Sequence, residues 1–384
     1  MRFRNRWAIN KSISNLGKAK RLLYWCFGLS LVLTFVVSLL IGNSQSVSAR
    51  QTRVLPVKAV IVTLFEIGED TGDLPGELQR WVERRKWDRI YPLPTANHDV
   101  YANTQEGLLA TLTGIGTAKA ASSIMALGTD PRFDLTRAYW LIAGISGVDP
   151  NDASVGSAAW AEWVVDGDLA HEIDAREMPE DWPHGYFARG STEPNVKPEN
   201  PTDENVVYHL NPQLTEWAYQ LTKNVQLDDS QELAEFRANY ANYPNALQPP
   251  FVLKGDNLDA STFWHGELLN NWANDWVKMW TEGRGNFVTS AMEGSGVMQS
   301  LTYLANAKKV DLNRVMVLRT ASNYTMQYKG ITAAESLNSE TEGGDDTAYS
   351  GLLPSGEAAY RVGNTVINQL LQNWNRYKHE TPCS

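Results

Sequence analysis

The segment Asn286-Phe-Val-Thr-Ser-Ala-Met-Glu-Gly-Ser-Gly296 combines an apolar run, an acidic residue and two glycines. Its apolar, β-branched first half predicts a strand, and its glycine-rich second half predicts the start of a helix. Glu293 is therefore expected at the carboxyl end of that strand. A second run, Val315-Met-Val-Leu-Arg-Thr-Ala-Ser-Asn323, ends its own predicted strand at a polar side chain. Open α/β sheets hold ligands at this edge, and a carboxylate there can accept hydrogen bonds from vicinal hydroxyls, so the two segments predict a site for a ribose and its base.

The flanking sequence alternates between strand and helix patterns that are separated by glycine-rich turns. The patterns predict strands at residues 58–65, 108–113, 137–143 and 158–165, and helices at residues 74–86, 117–127 and about 356–377. This alternation indicates βαβ units and a largely parallel sheet. Residues 179–250 break the rhythm and are predicted to form an irregular, partly helical insertion.

The N-terminal segment has the pattern of a targeting sequence. Seven basic residues and no acidic residue precede the apolar residues 22–41, and Val47-Ser-Ala49 has the small residues that signal peptidase prefers. Residues 1–49 are predicted to be a signal peptide, with an uncleaved membrane anchor through residues 22–41 as the alternative. Residues 50–384 are predicted to form the folded domain.

The predicted mature chain is strongly acidic. The whole chain has 34 basic and 44 acidic residues, so removal of the seven basic residues of the leader leaves 27 basic residues and a formal charge of −17. A surface of this sign argues against binding to nucleic acid or to anionic membranes. Only Cys383 remains outside the leader, which excludes an intramolecular disulfide. Export without disulfides favours a periplasmic or secreted bacterial protein.

Two further segments are candidates for binding or catalysis. Gly114-Ile-Gly116 precedes an alanine-rich helix, where backbone amides can bind an anion or a sugar, although a plain tight turn explains the same motif. Lys119 stands where a dinucleotide-binding loop has its third glycine, so no dinucleotide cofactor is predicted.

Glu66 directly follows the first predicted strand, where it is either a base for activating water or a loop acid without a catalytic role. The six histidines have no metal-binding spacing, so no metal is predicted either.

Phe263-Trp264-His265-Gly266 is an aromatic cluster in a neighbourhood of small polar residues. Core packing is the ordinary role of such side chains. Stacking on a flat base is the alternative, and it requires this segment to approach Glu293.

The order of these motifs resembles the nucleoside phosphorylase superfamily and, within it, the purine nucleoside permease family. The motifs that carry the resemblance are Gly114-Ile-Gly116, Ala-Gly-Ile-Ser-Gly at 143–147, Ser154-Val-Gly156, Ala-Met-Glu-Gly at 291–294, and Leu-Arg-Thr-Ala-Ser-Asn at 318–323. The resemblance implies an α/β protein with a three-layer α/β/α fold around a mixed, mainly parallel central sheet. It also implies a tendency to form homo-oligomers.

The resemblance implies a role for each matching residue of the ligand side. Met292 and Glu293 match the pair that packs on ribose and accepts its 2′- and 3′-hydroxyls. Asn323 matches the contact to purine N7, and Phe263 matches the aromatic side chain that stacks on the base.

The resemblance also implies residues on the side of the attacking nucleophile. Thr113 and Gly114 match a segment that lines this side, and Gly144 belongs to the loop that follows the third strand. Glu66 matches the water-activating base of the hydrolytic nucleosidases.

Two departures from the family pattern bear on the chemistry. Phosphorylases of the superfamily carry an arginine and a serine in the loop that matches residues 142–147, where this chain has Ile142 and Ile145. Apolar side chains cannot stabilise a phosphate dianion, which argues against phosphorolysis. Hydrolytic members protonate N7 with an aspartic acid, whereas Asn323 can only donate a hydrogen bond. Some phosphorylases that act on 6-oxopurines nevertheless use asparagine at this position.

These features predict a protein that binds purine nucleosides outside the cytoplasm and serves their uptake or scavenging, with a membrane transport partner and without a cofactor. The alternative is an exported enzyme that cleaves the N-glycosidic bond with Glu66 as base, more readily as a nucleosidase than as a phosphorylase. A third reading is an interaction protein that retains only the fold.

Overall fold

The structure, a computed structural model, describes residues 54–199, 206–340 and 351–383. The predicted leader lies outside the described residues. The strands are β1 (Leu55–Pro56), β2 (Ala59–Thr63), β3 (Arg89–Tyr91), β4 (Val100–Asn103), β5 (Leu108–Leu112), β6 (Phe133–Asp134), β7 (Tyr139–Val148), β8 (Ala158–Ala161), β9 (Trp163–Asp166), β10 (Ala170–Glu172), β11 (Tyr186–Ala188), β12 (Val207–His209), β13 (Val252–Lys254), β14 (Asp256–Asp259), β15 (Phe287–Ala291) and β16 (Val315–Tyr324). The helices are α1 (Gln79–Arg84), α2 (Thr117–Thr129), α3 (Pro212–Thr222), α4 (Gln231–Ala238), α5 (Glu267–Trp280), α6 (Gly294–Asn306), α7 (Ala333–Glu340), α8 (Leu352–Gln372) and α9 (Trp374–Tyr377).

Twelve of the described strands form one mixed sheet. Its main path runs β12-β9-β14-β15-β7-β2-β5-β4-β3, while β16 pairs with β7 and β8, and β8 also pairs with β13. Six of these eleven pairings are parallel, and they include the central β5-β2-β7-β16 group. The other five are antiparallel. The expected α/β class with a mixed sheet is confirmed.

Helices cover both faces of this sheet because the side chains of its strands alternate. On one face Val60 and Val62 of β2 pack with apolar residues of α2 and α6. On the other face Ala59 and Ile61 pack with apolar residues of α1, α3 and α8. The result is a three-layer α/β/α arrangement. In the described part of the chain, every helix falls short of the length and apolar character that crossing a bilayer requires.

Several elements differ from their predicted bounds, and buried carboxylates explain two of the differences. The helix predicted at residues 74–86 is reduced to α1, because the Glu66 carboxylate accepts N–H groups of Gly76 and Gln79 and fixes a turn there. The strand predicted at residues 158–165 is divided into β8 and β9, because Asp256 accepts the N–H groups of Glu162 and Trp163 between them. The predicted insertion contains α3, whose Leu214 and Trp217 belong to the core.

Strand β7 has a gap along one of its edges. β16 pairs with β7 from Trp140 to Val148 on one side. On the other side β2 pairs with β7 only as far as Ile142, and β15 joins it at Gly147. Residues 143–146 therefore have no strand partner at this edge. The sheet splits here between the carboxyl ends of β2 and β15, which is where a ligand site is expected.

Candidate functional site

A cavity opens at the split in the sheet. Its walls come from the ends of β2, β7, β15 and β16 and from the loop before α5. The lining residues are Phe65, Glu77, Ile115, Ile145, Ser146, Gly147, Thr262, Phe263, Trp264, Ser290, Ala291, Met292, Glu293, Ser322, Asn323 and Thr325. Four of the eight residues predicted to form the site are thus brought together, namely Phe263, Met292, Glu293 and Asn323.

Glu293 lies in this wall at the junction of β15 and α6. Its side chain is only 8% exposed. The carboxylate accepts long hydrogen bonds from the N–H groups of Gly116 at 3.4 Å and Met292 at 3.3 Å. Contacts of this length are weak, so the oxygens retain the capacity to accept stronger bonds from a ligand. Burial raises the pKa of Glu293, while Arg319 opposes the rise.

Arg319 is the cation that compensates this carboxylate, and it is wholly buried in β16. Its Nη1 lies 3.6 Å from Glu293 Oε2, and its Nη2 lies 3.4 Å from Asp259 Oδ1. Asp259 also accepts the N–H of Gly294 at 2.7 Å, and burial raises its pKa to about 6. One arginine therefore serves two buried carboxylates, which leaves the cluster with an excess of negative charge.

Glu77 adds a third carboxylate, and it fills the gap at the edge of β7. Its Oε1 accepts the N–H of Ile145 at 2.7 Å. Its Oε2 accepts the N–H groups of Leu64 at 2.7 Å and Phe65 at 3.1 Å, just beyond the end of β2. Burial raises the pKa of Glu77 to about 8, and the Glu293 carboxylate adds to the rise. The hydrogen bonds from the backbone N–H groups of Ile145 and Leu64 and the charge of Arg319 oppose it.

The raised pKa of Glu77 predicts how stability depends on pH. The folded state retains a proton from about pH 4.5 to about pH 8 that the unfolded chain releases, so the free energy of unfolding should fall as pH rises through this window. One such proton contributes at most about 1.4 kcal/mol per pH unit. Urea unfolding at several pH values gives the free energy of unfolding as a function of pH. This free energy should fall less steeply with pH for Glu77→Gln than for the wild type. An equal dependence on pH in both proteins would contradict a raised pKa at this residue.

The base-side residues occupy different walls of the cavity. Asn323 is buried at the end of β16, where its Nδ2 donates to the carbonyl of Tyr324 at 3.1 Å and its Oδ1 accepts from Ser322 Oγ at 2.9 Å. Phe263 is 43% exposed in the loop before α5. That loop is attached to the start of α2, because Ser261 Oγ lies 2.6 Å from Thr117 Oγ1. The aromatic segment therefore does approach Glu293, as base stacking requires.

The remaining predicted residues lie outside the cavity lining. Thr113 is wholly buried, and its hydroxyl donates to the carbonyl of Gly114 at 3.2 Å. Gly144 lies beside Glu77, since a Cβ at this position would come within 2.6 Å of Glu77 Oε1. Glu66 accepts the N–H groups of Ile67 at 2.9 Å and Gln79 at 2.7 Å. Its carboxylate thus holds the start of α1, and of Glu66 and Glu77 it is Glu77 that lines the cavity.

Three charged residues of this site, Glu77, Asp259 and Arg319, were not predicted from the sequence. The sequence does indicate a role for Arg319, because an arginine inside a buried apolar strand requires buried carboxylate partners. Nothing in the sequence distinguishes Glu77, since it precedes a helix in a loop with several other acids. Among the described residues no group of histidine, cysteine or acidic side chains could hold a metal ion.

Comparisons with known proteins identify relatives along most of the chain. The family model for purine nucleoside permeases matches residues 56–382. A probable purine nucleoside permease of Schizosaccharomyces pombe is 31% identical over 294 residues, which cover 75% of this chain and 80% of that protein. A purine nucleoside permease of Candida albicans is 27% identical over 339 residues, covering 87% of this chain and 80% of its own length.

Solved structures also resemble this chain. A 5′-methylthioadenosine/S-adenosylhomocysteine nucleosidase of Neisseria meningitidis aligns with 82% of this chain and 100% of its own, at 14% identity and a TM-score of 0.47. A futalosine hydrolase of Helicobacter pylori aligns with 82% of this chain and 99% of its own, at 14% identity and a TM-score of 0.48. The match of the family model across residues 56–382 shows that the chain belongs to the purine nucleoside permease family.

Proposed function

We propose that this protein binds a purine nucleoside in the cavity at the split in the sheet, and that this binding serves nucleoside uptake or scavenging outside the cytoplasm. The observation that carries the proposal is the position of Glu293, a buried carboxylate with only long hydrogen bonds in a cavity that also contains Phe263 and Asn323. Membership of the purine nucleoside permease family supports a function related to nucleoside transport.

Each wall suits one part of a nucleoside. The Glu293 carboxylate can accept both hydroxyls of a ribose, and Met292 supplies an apolar contact for the sugar. The exposed ring of Phe263 offers a face on which a purine can stack. Asn323 has an amide that can donate to N7 and cannot ionise. Together these side chains offer hydrogen bonds and apolar contacts that suit an uncharged ligand.

Cleavage of the N-glycosidic bond is the second candidate function, and Glu77 favours it. Burial raises the pKa of this cavity carboxylate to about 8, which is near the value that suits a general base at neutral pH. We propose Glu77 rather than Glu66 for this role, because only Glu77 lines the cavity. Asn323 has no acidic proton to transfer to the leaving purine. The rate of cleavage would therefore lack the factor of about 10²–10⁴ that general acid catalysis contributes.

One assay separates binding from cleavage. The purified protein is incubated with inosine and adenosine, with and without phosphate, and the free and protein-bound fractions are analysed by chromatography. We expect unchanged nucleoside in the bound fraction and none on a Glu293→Ala variant. Release of free base that Glu77→Gln abolishes would establish the enzyme instead, and no bound nucleoside at all would contradict the proposed site.

The place of this function also requires a proposal. We propose that residues 1–49 direct the chain out of the cytoplasm, either as a cleaved signal peptide or as an anchor through residues 22–41, and that a membrane partner performs the transport step. The basic and apolar order of this segment supports export. N-terminal sequencing of the protein recovered from a cell fraction outside the cytoplasm tests both forms.

A further inference from the structure

The cavity wall contains a ready-made cradle for an oxyanion. Three backbone N–H groups, those of Leu64, Phe65 and Ile145, point to the two oxygens of one bound group between the carboxyl end of β2 and the unpaired edge of β7. Their distances to the group they bind, 2.7, 3.1 and 2.7 Å, are those of well-formed hydrogen bonds. Converging main-chain amides of this kind bind anions such as phosphate in many proteins.

This cradle is already occupied by the chain itself. The Glu77 carboxyl group takes all three donors, and its residue is only 4% exposed although it lines the cavity. Gly144 makes room for it, because a Cβ there would lie 2.6 Å from Glu77 Oε1. The strand beside the cradle is thus shaped around this carboxyl group, which argues that the occupancy is built in.

The charge around the cradle adds to its selectivity. Glu293 faces the same cavity, and its Coulomb repulsion is one of the causes that raise the pKa of Glu77. Arg319 is wholly buried and is already shared between Glu293 and Asp259. An incoming phosphate would therefore meet occupied amides and two carboxyl groups, with no free cation of the cluster to compensate it.

We propose that Glu77 is a specificity-determining residue, whose carboxyl group fills an oxyanion cradle and so excludes phosphate and other oxyanions from the cavity. The inference deepens the proposed function, since it concerns the same cavity and makes the preferred ligand an uncharged nucleoside. It does not depend on that function for its test. The amides can be probed with inorganic phosphate alone.

The experiment removes the carboxyl group and asks whether phosphate takes its place. Thermal unfolding of the purified full chain is followed in phosphate and in sodium chloride of equal ionic strength. Glu77→Ala should unfold at a lower temperature than the wild type, and phosphate at about ten times its Kd should raise the Tm of the variant by about 2 °C or more, in a saturable manner. The wild-type protein, in which the Glu77 carboxyl group takes all three donors, should not respond.

Further arms keep the test decisive if Glu77→Ala folds poorly. Glu77→Ser retains a small polar side chain and should gain the same response to phosphate. A folded alanine or serine variant that ignores both phosphate and sulfate would overturn the proposal. Phosphate that shifts the amide resonances of Leu64, Phe65 and Ile145 in the wild type would overturn it regardless of the variants. Nucleoside binding is absent from these readouts, so a failure here is distinguishable from a failure of the proposed function.

Discussion

Replacing Glu293 by glutamine should weaken purine nucleoside binding about 10- to 150-fold. The carboxylate lies in the cavity wall with hydrogen bonds of only 3.3 and 3.4 Å, so its stronger acceptor capacity is available to a ribose. Loss of a charge-assisted hydrogen bond costs about 1.5–3 kcal/mol, which corresponds to this range of affinity. Isothermal titration calorimetry with inosine or adenosine measures the change directly.

A ligand without the hydroxyls provides the control for this prediction. A 2′,3′-dideoxynucleoside should bind the wild type more weakly than the nucleoside does, and Glu293→Gln should not weaken it further. The free base should bind both proteins alike. Glu162→Gln, which alters a half-buried carboxylate paired with His209 outside the cavity lining, should bind nucleoside normally. Equal losses for the nucleoside and its dideoxy analogue would show that Glu293 does not contact the sugar.

Replacing Arg319 by methionine should destabilise the fold by about 3–5 kcal/mol, because removal of one partner leaves uncompensated buried charge. Arg319 and Asp259 have no exposed side-chain surface, and Glu293 has little. Chemical denaturation at neutral pH measures the loss. The deficit should narrow towards pH 5, where the carboxyl groups that have lost their cation can be protonated at a lower cost.

A double change tests whether the loss comes from this cluster. Adding Asp259→Asn to Arg319→Met should recover part of the stability, because one stranded charge is removed. Arg176→Met breaks an ion pair with Asp174 that lies on the surface, and it should leave the stability unchanged. If Arg319→Met were as stable as the wild type at pH 8, Arg319 could not be the residue that stabilises the buried carboxylates.

The positions of Glu293 and Asn323 in the fold could be predicted from the ends of their strands. The carboxyl ends of β15 and β16 bring Glu293 and Asn323 to one cavity, as the two quoted segments indicated. Phe263 could be placed only conditionally, since the segment that contains it is a loop. Its attachment to α2 through Ser261 and Thr117 depends on side chains that no local pattern reveals.

The opposite side of the site was not predictable in the same way. Glu66 and Glu77 lie eleven positions apart in one loop, and both accept backbone N–H groups. Which of them turns into the sheet depends on the gap at residues 143–146 of β7, and this gap follows from how β2 and β15 share one edge. A local sequence pattern carries no information on such pairing between distant strands. The resemblance implies that Glu66 is the base that activates water, whereas the acid after β2 that lines the cavity is Glu77.

The split sheet has a consequence for synthesis of the chain. The walls of the cavity extend from Phe65 to Thr325, so a ribosome must deliver the chain as far as Thr325 before the cavity can exist. Nascent and truncated chains that lack β16 have no complete wall and should not compete for ligand. A bound small molecule would consequently favour chains that contain β16 over shorter products, and it would protect the elements that form the cavity against proteolysis.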